Sequence, residues 1–376
     1  MNFEERIKKI LEARKVKQEY RQLSHHSYPI DFTSNDYLGL SRSAWIKNKV
    51  AESCQNNDVK NGSTGSRLLS GNSKFMEALE AKIADFHHAE SALIFNSGFD
   101  ANLGLISTIC RGENDVIIYD ELVHASIRQG MKLSGVICIP FKHNNVSDLE
   151  AKLDQNSFAN CFVIVESIYS MDGDKALLKE IANLKEKYPY ELIVDEAHAL
   201  GIFGNQGRGL CNEAKIEADC LARVYTFGKA MGSHGAAIVG SKLLTEYLVN
   251  FCKPFIYSTA PSDHNLWSVE HSYNFILSDD IQVVRLFKLI NYFKLVFQAQ
   301  KSIKIIGEGP IFGLQIGNPE RTRAVAKILN EHGFDIRPIV YPTVARGSER
   351  LRICLHSYNT ESEIDLLSEV LRDMKL

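Results

Sequence analysis

Lys229 sits in TFGKAMGSHGAAIVG, residues 226–240, with Gly228, Ala230 and Gly232 around it and the Thr226 hydroxyl nearby. Small neighbours leave room for a flat ring to approach the backbone. A lysine that attacks a carbonyl needs that clearance, and it must shed the proton that a free lysine keeps up to a pH of about 10. Upstream, LIVDEAHALGIFGNQGRG, residues 192–209, delivers Asp195 at the end of an apolar run and His198 three positions later in a glycine-rich loop. An acid that pairs with a protonated pyridine nitrogen completes an electron sink for a carbanion. Lysine and acid together therefore point to Schiff-base chemistry on a flat aromatic aldehyde. DEAH also occurs in nucleotide-hydrolysing motors, but those require a GxxxxGK[ST] phosphate loop. FGKA at 227–230 lacks both the spaced glycine and the hydroxyl. Taken singly, Asp195 would be a strand-end cap and Lys229 a solvated surface charge; only their joint occurrence argues otherwise.

Two further stretches supply what such a site still needs. NSGFDAN, residues 96–102, places Gly98 and Phe99 at a strand-to-helix turn, where backbone N–H groups and the helix dipole can receive a phosphate. DELVHASI, residues 120–127, puts His124 just after a strand end, where an imidazole can lie on the face of a ring. The elements that must position these residues follow from hydrophobic pattern. From residue 91 short β-rich runs (SALIF, DVIIYD, VICIP, CFVIVE, ELIVDE) alternate with helical stretches, which predicts a mainly parallel sheet covered on both faces, with sites at the carboxyl ends of its strands. Asp195 and Glu166 fall at such ends. Residues 3–22 read as an amphipathic helix with Phe3, Ile7, Ile10, Leu11 and Val16 on one side. After residue 270 the pattern becomes that of a smaller α+β unit. The expected organisation is an N-terminal arm at 1–45, a large domain at 46–270 and a small domain at 271–376.

Composition narrows the function class. The 376 residues are 45% hydrophobic and 24% charged, an ordinary globular balance. No apolar stretch reaches the roughly 18 residues that span a bilayer. The charged opening MNFEERIKKILEARKVKQEYRQL has no apolar signal-peptide core, so a cytoplasmic protein without a membrane role is expected. Net charge is −3 with no basic block, which argues against nucleic acid as a partner. Eight cysteines are scattered without a CxxC pair, as expected of buried free thiols and not of disulfides or a metal site.

Read in order, SNDYLGLS (34–41), TGSRLLSGN (64–72), FNSGFDAN (95–102), DELVHASI (120–127), VESIYSMDGD (165–174), DEAHALGIFGNQGRG (195–209), TFGKAMGSHGA (226–236), FIYSTAP (255–261) and PTVARGSERLRICLH (342–356) resemble the α-oxoamine synthase family of fold type I pyridoxal phosphate enzymes over nearly the whole chain. One departure is Thr64, where the family usually has glycine. The resemblance implies an α/β fold, with a large mainly parallel-sheet domain and a smaller α+β C-terminal domain, and pyridoxal 5'-phosphate as cofactor. It implies that Lys229 carries the cofactor as a Schiff base, Asp195 contacts the pyridine nitrogen, His198 bonds the phenolic oxygen and His124 stacks on the ring. Ser170 and Thr226, with the backbone at Gly98 and Phe99, would hold the phosphate and neighbouring oxygens. Glu166 would lie near the substrate, Asn35 and Arg352 would grip an amino acid carboxylate, and Thr343 and Arg21 would meet the acyl substrate. The implied activity is a decarboxylative condensation of an amino acid with an acyl thioester in a homodimer. L-alanine with pimeloyl-CoA or a pimeloyl-carrier protein, in biotin synthesis, is the nearest match; glycine with acetyl-CoA, giving 2-amino-3-ketobutyrate, is the alternative.

Overall fold

The computed structural model describes residues 2–17, 19–23, 28–156, 160–298 and 304–374. Helix α1 (Phe3–Val16) opens the chain under a capping box, in which Asn2 accepts from Glu5 N and the Glu5 carboxylate accepts from Asn2 N. The amphipathic stretch predicted for 3–22 thus ends at Val16, and its apolar residues Phe3, Ile7, Ile10, Leu11 and Val16 are all exposed. With no docked face, propensity alone sustains the helix, and that is marginal over so short a length. Arg21 lies past its end, exposed.

Strand β1 (Ile30–Asp31) follows, and then the strands of the large sheet: β2 (Ser91–Phe95), β3 (Asp115–Asp120), β4 (Ile137–Phe141), β5 (Asn160–Glu166), β6 (Tyr190–Asp195), β7 (Cys220–Thr226) and β8 (Ala236–Gly240). Their order is β2-β8-β7-β6-β5-β3-β4, with β8 alone antiparallel to its neighbours. The central strands are buried on both faces, which is why they read as continuous apolar runs. Alternate residues feed two cores. Ile117, Ile164, Ile193 and Val224 meet one helical layer, which includes α4 (Gly98–Ile109) and α5 (Ala125–Ser134). Ile118, Val163, Val194 and Tyr225 face the layer that includes α2 (Ala44–Asn56) and α3 (Lys74–Phe86).

A second sheet holds β9 (Lys304–Ile306), β10 (Ile311–Gln315), β12 (Arg337–Ile339) and β13 (Arg350–Cys354), all antiparallel, in the order β12-β13-β10-β9. Strand β11 (Phe334–Asp335) pairs instead with β1, in parallel. Segment 30–37, expected in the arm, therefore belongs with this sheet: Phe32 O accepts from Cys354 N, and Tyr37 O accepts from Ser357 N, each at 2.8 Å. A boundary at 270 would fall inside the helix Asp263–Ser278, which packs on α2 and α3. Residues Asp279 and Asp280 separate it from the helix Ile281–Gln298, which packs on Glu361–Asp373. Without a Pro/Gly-rich linker, nothing local in the sequence marks a unit built from two distant segments. All eight cysteines are free.

The loop after β5, residues 167–174, joins the two sheets. Asp172 is ion-paired with Arg350 of β13, and Ser170 O accepts from Arg352 Nε at 2.7 Å. At its other end Asp174 Oδ2 lies 2.7 Å from His143 Nε2, while His143 Nδ1 is 2.9 Å from Asp120 Oδ1 at the end of β3. Burial alone would lower the pKa of His143, but its hydrogen bonds to Asp120 and Asp174 outweigh that and raise it to about 9. A raised imidazole pKa stabilises the fold fully below the ordinary value of about 6.5, and this contribution is lost as pH climbs through about 9. His143→Gln should therefore cost on the order of 2–3 kcal/mol at pH 6 and much less at pH 10. Urea unfolding of parent and variant across that range checks it, and a pH-independent difference between them contradicts it.

Candidate active site

The parallel register determines which groups meet. Glu166 and Asp195 are paired neighbours at the carboxyl ends of β5 and β6, and Thr226 closes β7 beside them. These ends, the N-terminus of α4 and the loop after β7 enclose a cavity of about 270 Å³. Asn35, Gly98, Phe99, His124, Glu166, Asp195, His198, Thr226 and Lys229 all line it. A more open groove of about 620 Å³ beside Phe203 and Phe287 holds none of these groups.

The acid is held in place by two donors. Asp195 Oδ2 accepts from Asn102 Nδ2 at 2.7 Å, and Oδ1 accepts from Ala197 N at 2.9 Å. Asn102 also donates to Ser126 Oγ at 3.1 Å, which in turn lies 2.7 Å from His124 Nδ1. This line of contacts crosses from α4 to α5, and Gly130 is what lets the two helices close. A Cβ there would meet Ile106 Cβ at 3.0 Å and Asn102 O at 3.2 Å. Gly98 plays the same part at the start of α4, where a Cβ would come within 2.4 Å of Thr226 Cγ2. Ser97 caps this helix by accepting from Asp100 N. The N–H groups of Gly98 and Phe99 remain at the cavity wall for an anion.

Burial dominates the electrostatics. It lowers the Lys229 ammonium to about 8, against the opposing pull of Asp195 and Glu166, so near neutral pH a useful fraction is free amine. The surface Lys229 keeps is cavity surface. Glu166 is raised well above the carboxylate range by burial and then by the charge of Asp195, and its buried Oε1 has no described hydrogen-bond partner. His198 is pushed well below the usual imidazole range by burial and by Lys229, so it is neutral. His124 is lowered by partial burial and by Lys229, with Asp195 opposing.

Arg352 of β13 does not itself line the cavity; it donates from Nη2 at 2.9 Å to Oδ1 of Asn35, which does. Ser170, expected among the phosphate and neighbouring oxygen contacts, does not line the cavity; its carbonyl is turned to Arg352 because the loop is pinned to β13. Arg21 and Thr343 are exposed and also lie outside the lining. The sequence reading missed Asn102, Ser126, His234 and Tyr37. For Asn102 a signal exists, since it is a polar residue on the otherwise apolar inner face of α4.

The family model for class I and II aminotransferases matches residues 28–371. The chain belongs to that family. It is 38% identical to the 8-amino-7-oxononanoate synthase of Emericella nidulans over 92% of this chain and 89% of that one. It is 35% identical to the enzyme of the same name from Photobacterium profundum over 99% and 97%. Among solved structures, 8-amino-7-oxononanoate synthase from Francisella tularensis superposes with a TM-score of 0.79 at 30% identity, covering 92% of this chain and 98% of that one. Serine palmitoyltransferase from Sphingomonas wittichii superposes at 0.90 with 24% identity over 99% and 98%, which bears on the fold alone. The architecture is that of the fold type I pyridoxal phosphate enzymes.

The residues present fit that cofactor. A buried acid with both oxygens already anchored suits a ring nitrogen, and the start of α4 at Gly98 and Phe99, which lines the same cavity, suits the phosphate. Asn102→Ala should leave the Asp195 carboxylate without its shortest donor. A hydrogen bond to a charged group is worth about 1.5–3 kcal/mol, so kcat should fall by roughly tenfold to a hundredfold. Steady-state kinetics on cofactor-saturated enzyme measures this, and a loss below about twofold would remove Asn102 from the site.

Proposed function

We propose that this protein condenses L-alanine with a pimeloyl thioester, with loss of carbon dioxide, to give 8-amino-7-oxononanoate, using pyridoxal 5'-phosphate held by Lys229. The observation that carries the reading is Lys229 sharing one cavity with Asp195, His198, His124 and Glu166. The name borne by the relatives selects the substrates. When bound, the cofactor supplies an electron sink for negative charge at the amino acid Cα. Lys229 Nζ, buried and lowered to about 8, takes the Cα proton near neutral pH. Asp195, its two oxygens already accepting from Asn102 Nδ2 and Ala197 N, would face the ring nitrogen of the bound cofactor. His124, on the cavity wall, would cover one face of the bound ring. Arg352 donates Nε to Ser170 O and, before substrate binds, Nη2 to Asn35 Oδ1; its Nη groups are those that orient the amino acid carboxylate. Holding the carboxylate in one orientation would favour breaking a single bond at Cα when the cofactor is bound. Glu166, its carboxyl raised well above the usual range by burial and by Asp195, would lie near the substrate.

The acyl donor enters where the chain is open, and Thr343 and Arg21 are its proposed contacts. The active form is a homodimer with its sites at the subunit interface. Supporting this, Phe99, Tyr257 and Leu69 are exposed at 46%, 80% and 84%, and the carbonyl of Thr259 in FIYSTAP accepts from Asn96 Nδ2, next to the phosphate end of the cavity. The enzyme works in the cytoplasm; among the described residues no helix is long and apolar enough to cross a membrane.

Product analysis with L-alanine or glycine against pimeloyl and acetyl thioesters tests the reading. Alanine with the pimeloyl donor should be the fastest pair, and Lys229→Ala should abolish both turnover and the visible absorbance of bound cofactor. Faster turnover of glycine with acetyl-CoA would replace the substrate assignment, and a fully active Lys229→Ala would remove the lysine's role. Sedimentation should find an active species of twice the chain mass, whereas an active monomer would contradict the shared site.

A further inference from the structure

Tyr37 is fully buried, yet its hydroxyl joins two parts of the site that the mechanism treats separately. It lies 2.9 Å from Asn35 Oδ1 and 2.8 Å from His198 Nδ1. Asn35 Oδ1 is also the acceptor for Arg352 Nη2. The ring is held rigidly. Tyr37 O receives Ser357 N at 2.8 Å, and the ring stacks on His356 with centroids 6.5 Å apart and planes inclined by 20°. Burial raises the phenol far out of its ordinary range, so it keeps its single proton.

One proton facing two acceptors leaves two self-consistent patterns. If Tyr37 donates to His198 Nδ1, the neutral imidazole carries its proton on Nε2 and presents a donor to the cavity, while Arg352 alone serves Asn35 Oδ1. If Tyr37 donates to Asn35, His198 must carry its proton on Nδ1, and Nε2 faces the cavity as an acceptor. No described residue bonds Nε2, so the Tyr37 hydroxyl selects what the cavity meets. We propose that Tyr37 is a positioning residue that couples occupancy of the Arg352–Asn35 carboxylate site to the tautomer of His198. A carboxylate that draws the Arg352 N–H away leaves Asn35 Oδ1 short of a donor, and the Tyr37 hydroxyl turns to replace it. The imidazole keeps one proton throughout, exchanged from Nε2 to Nδ1 through solvent. Amino acid binding thereby changes a donor into an acceptor beside the cofactor's phenolic oxygen. The proposal rests on the functional reading above.

The probe is propionate, a carboxylate with no amine to react. In cofactor-loaded parent protein, saturating propionate should change the ratio of the two visible absorption forms of the bound cofactor by about fivefold or more, the usual lower range of a site-to-site coupling. In Tyr37→Phe, loaded equally and saturated by calorimetry, the change should stay below about twofold. Nitrogen NMR of the His198 imidazole in the parent needs no substitution, and it should find the proton on Nε2 before propionate and on Nδ1 after. Equal spectral responses in parent and variant, or an imidazole proton that does not move, would overturn the coupling. So would a Tyr37→Phe protein that loads cofactor but no longer binds propionate, because Tyr37 would then merely shape the carboxylate site. Failure of the parent to take up cofactor at all would instead overturn the functional reading.

Discussion

An amine buried beside two carboxylic acids governs this structure. Lys229 loses hydration on entering the cavity, and that loss brings its pKa to about 8. Asp195 and Glu166 pull the other way without cancelling the effect. Burial, and then the neighbouring Asp195, raise the Glu166 carboxyl well above its usual range. Asp195 instead accepts hydrogen bonds from Asn102 and the Ala197 N–H. The two acids have separate roles because they occupy adjacent parallel strand ends with unequal sets of donors.

That arrangement needs a rigid frame, and the frame is shared between the two sheets. Arg350 and Arg352 alternate along β13, so both side chains point the same way and meet the 167–174 loop. Asp120, His143 and Asp174 tie the other end of that loop to the large sheet. The guanidinium proposed to orient substrate is therefore placed by contacts reaching back to β3 and β5. Tyr37 extends the same network to the imidazole at the cofactor, since the short segment 30–37 runs between the C-terminal sheet and the cavity.

What the sequence determined by itself was the family, the sheet and which candidate residues stand at its strand ends. Apolar runs ending in Glu166 and Asp195, and a lysine among glycine and alanine, are local patterns whose periods and residue types survive folding unchanged. The line of motifs supplied the family for the same reason. The tertiary structure alone decided the contacts made at long sequence separation. Nothing within a few residues of Asn102 says that it meets Asp195, 93 positions away, or that Ser170 turns its carbonyl to Arg352, 182 positions away. The first helix ends at Val16, short of the 3–22 that periodicity suggested, and among the described residues its apolar stripe buries against nothing. Hydrophobic spacing reports which face of an element is buried. It carries no information on which buried polar atom finds which partner, and in this cavity that pairing is what assigns the protons.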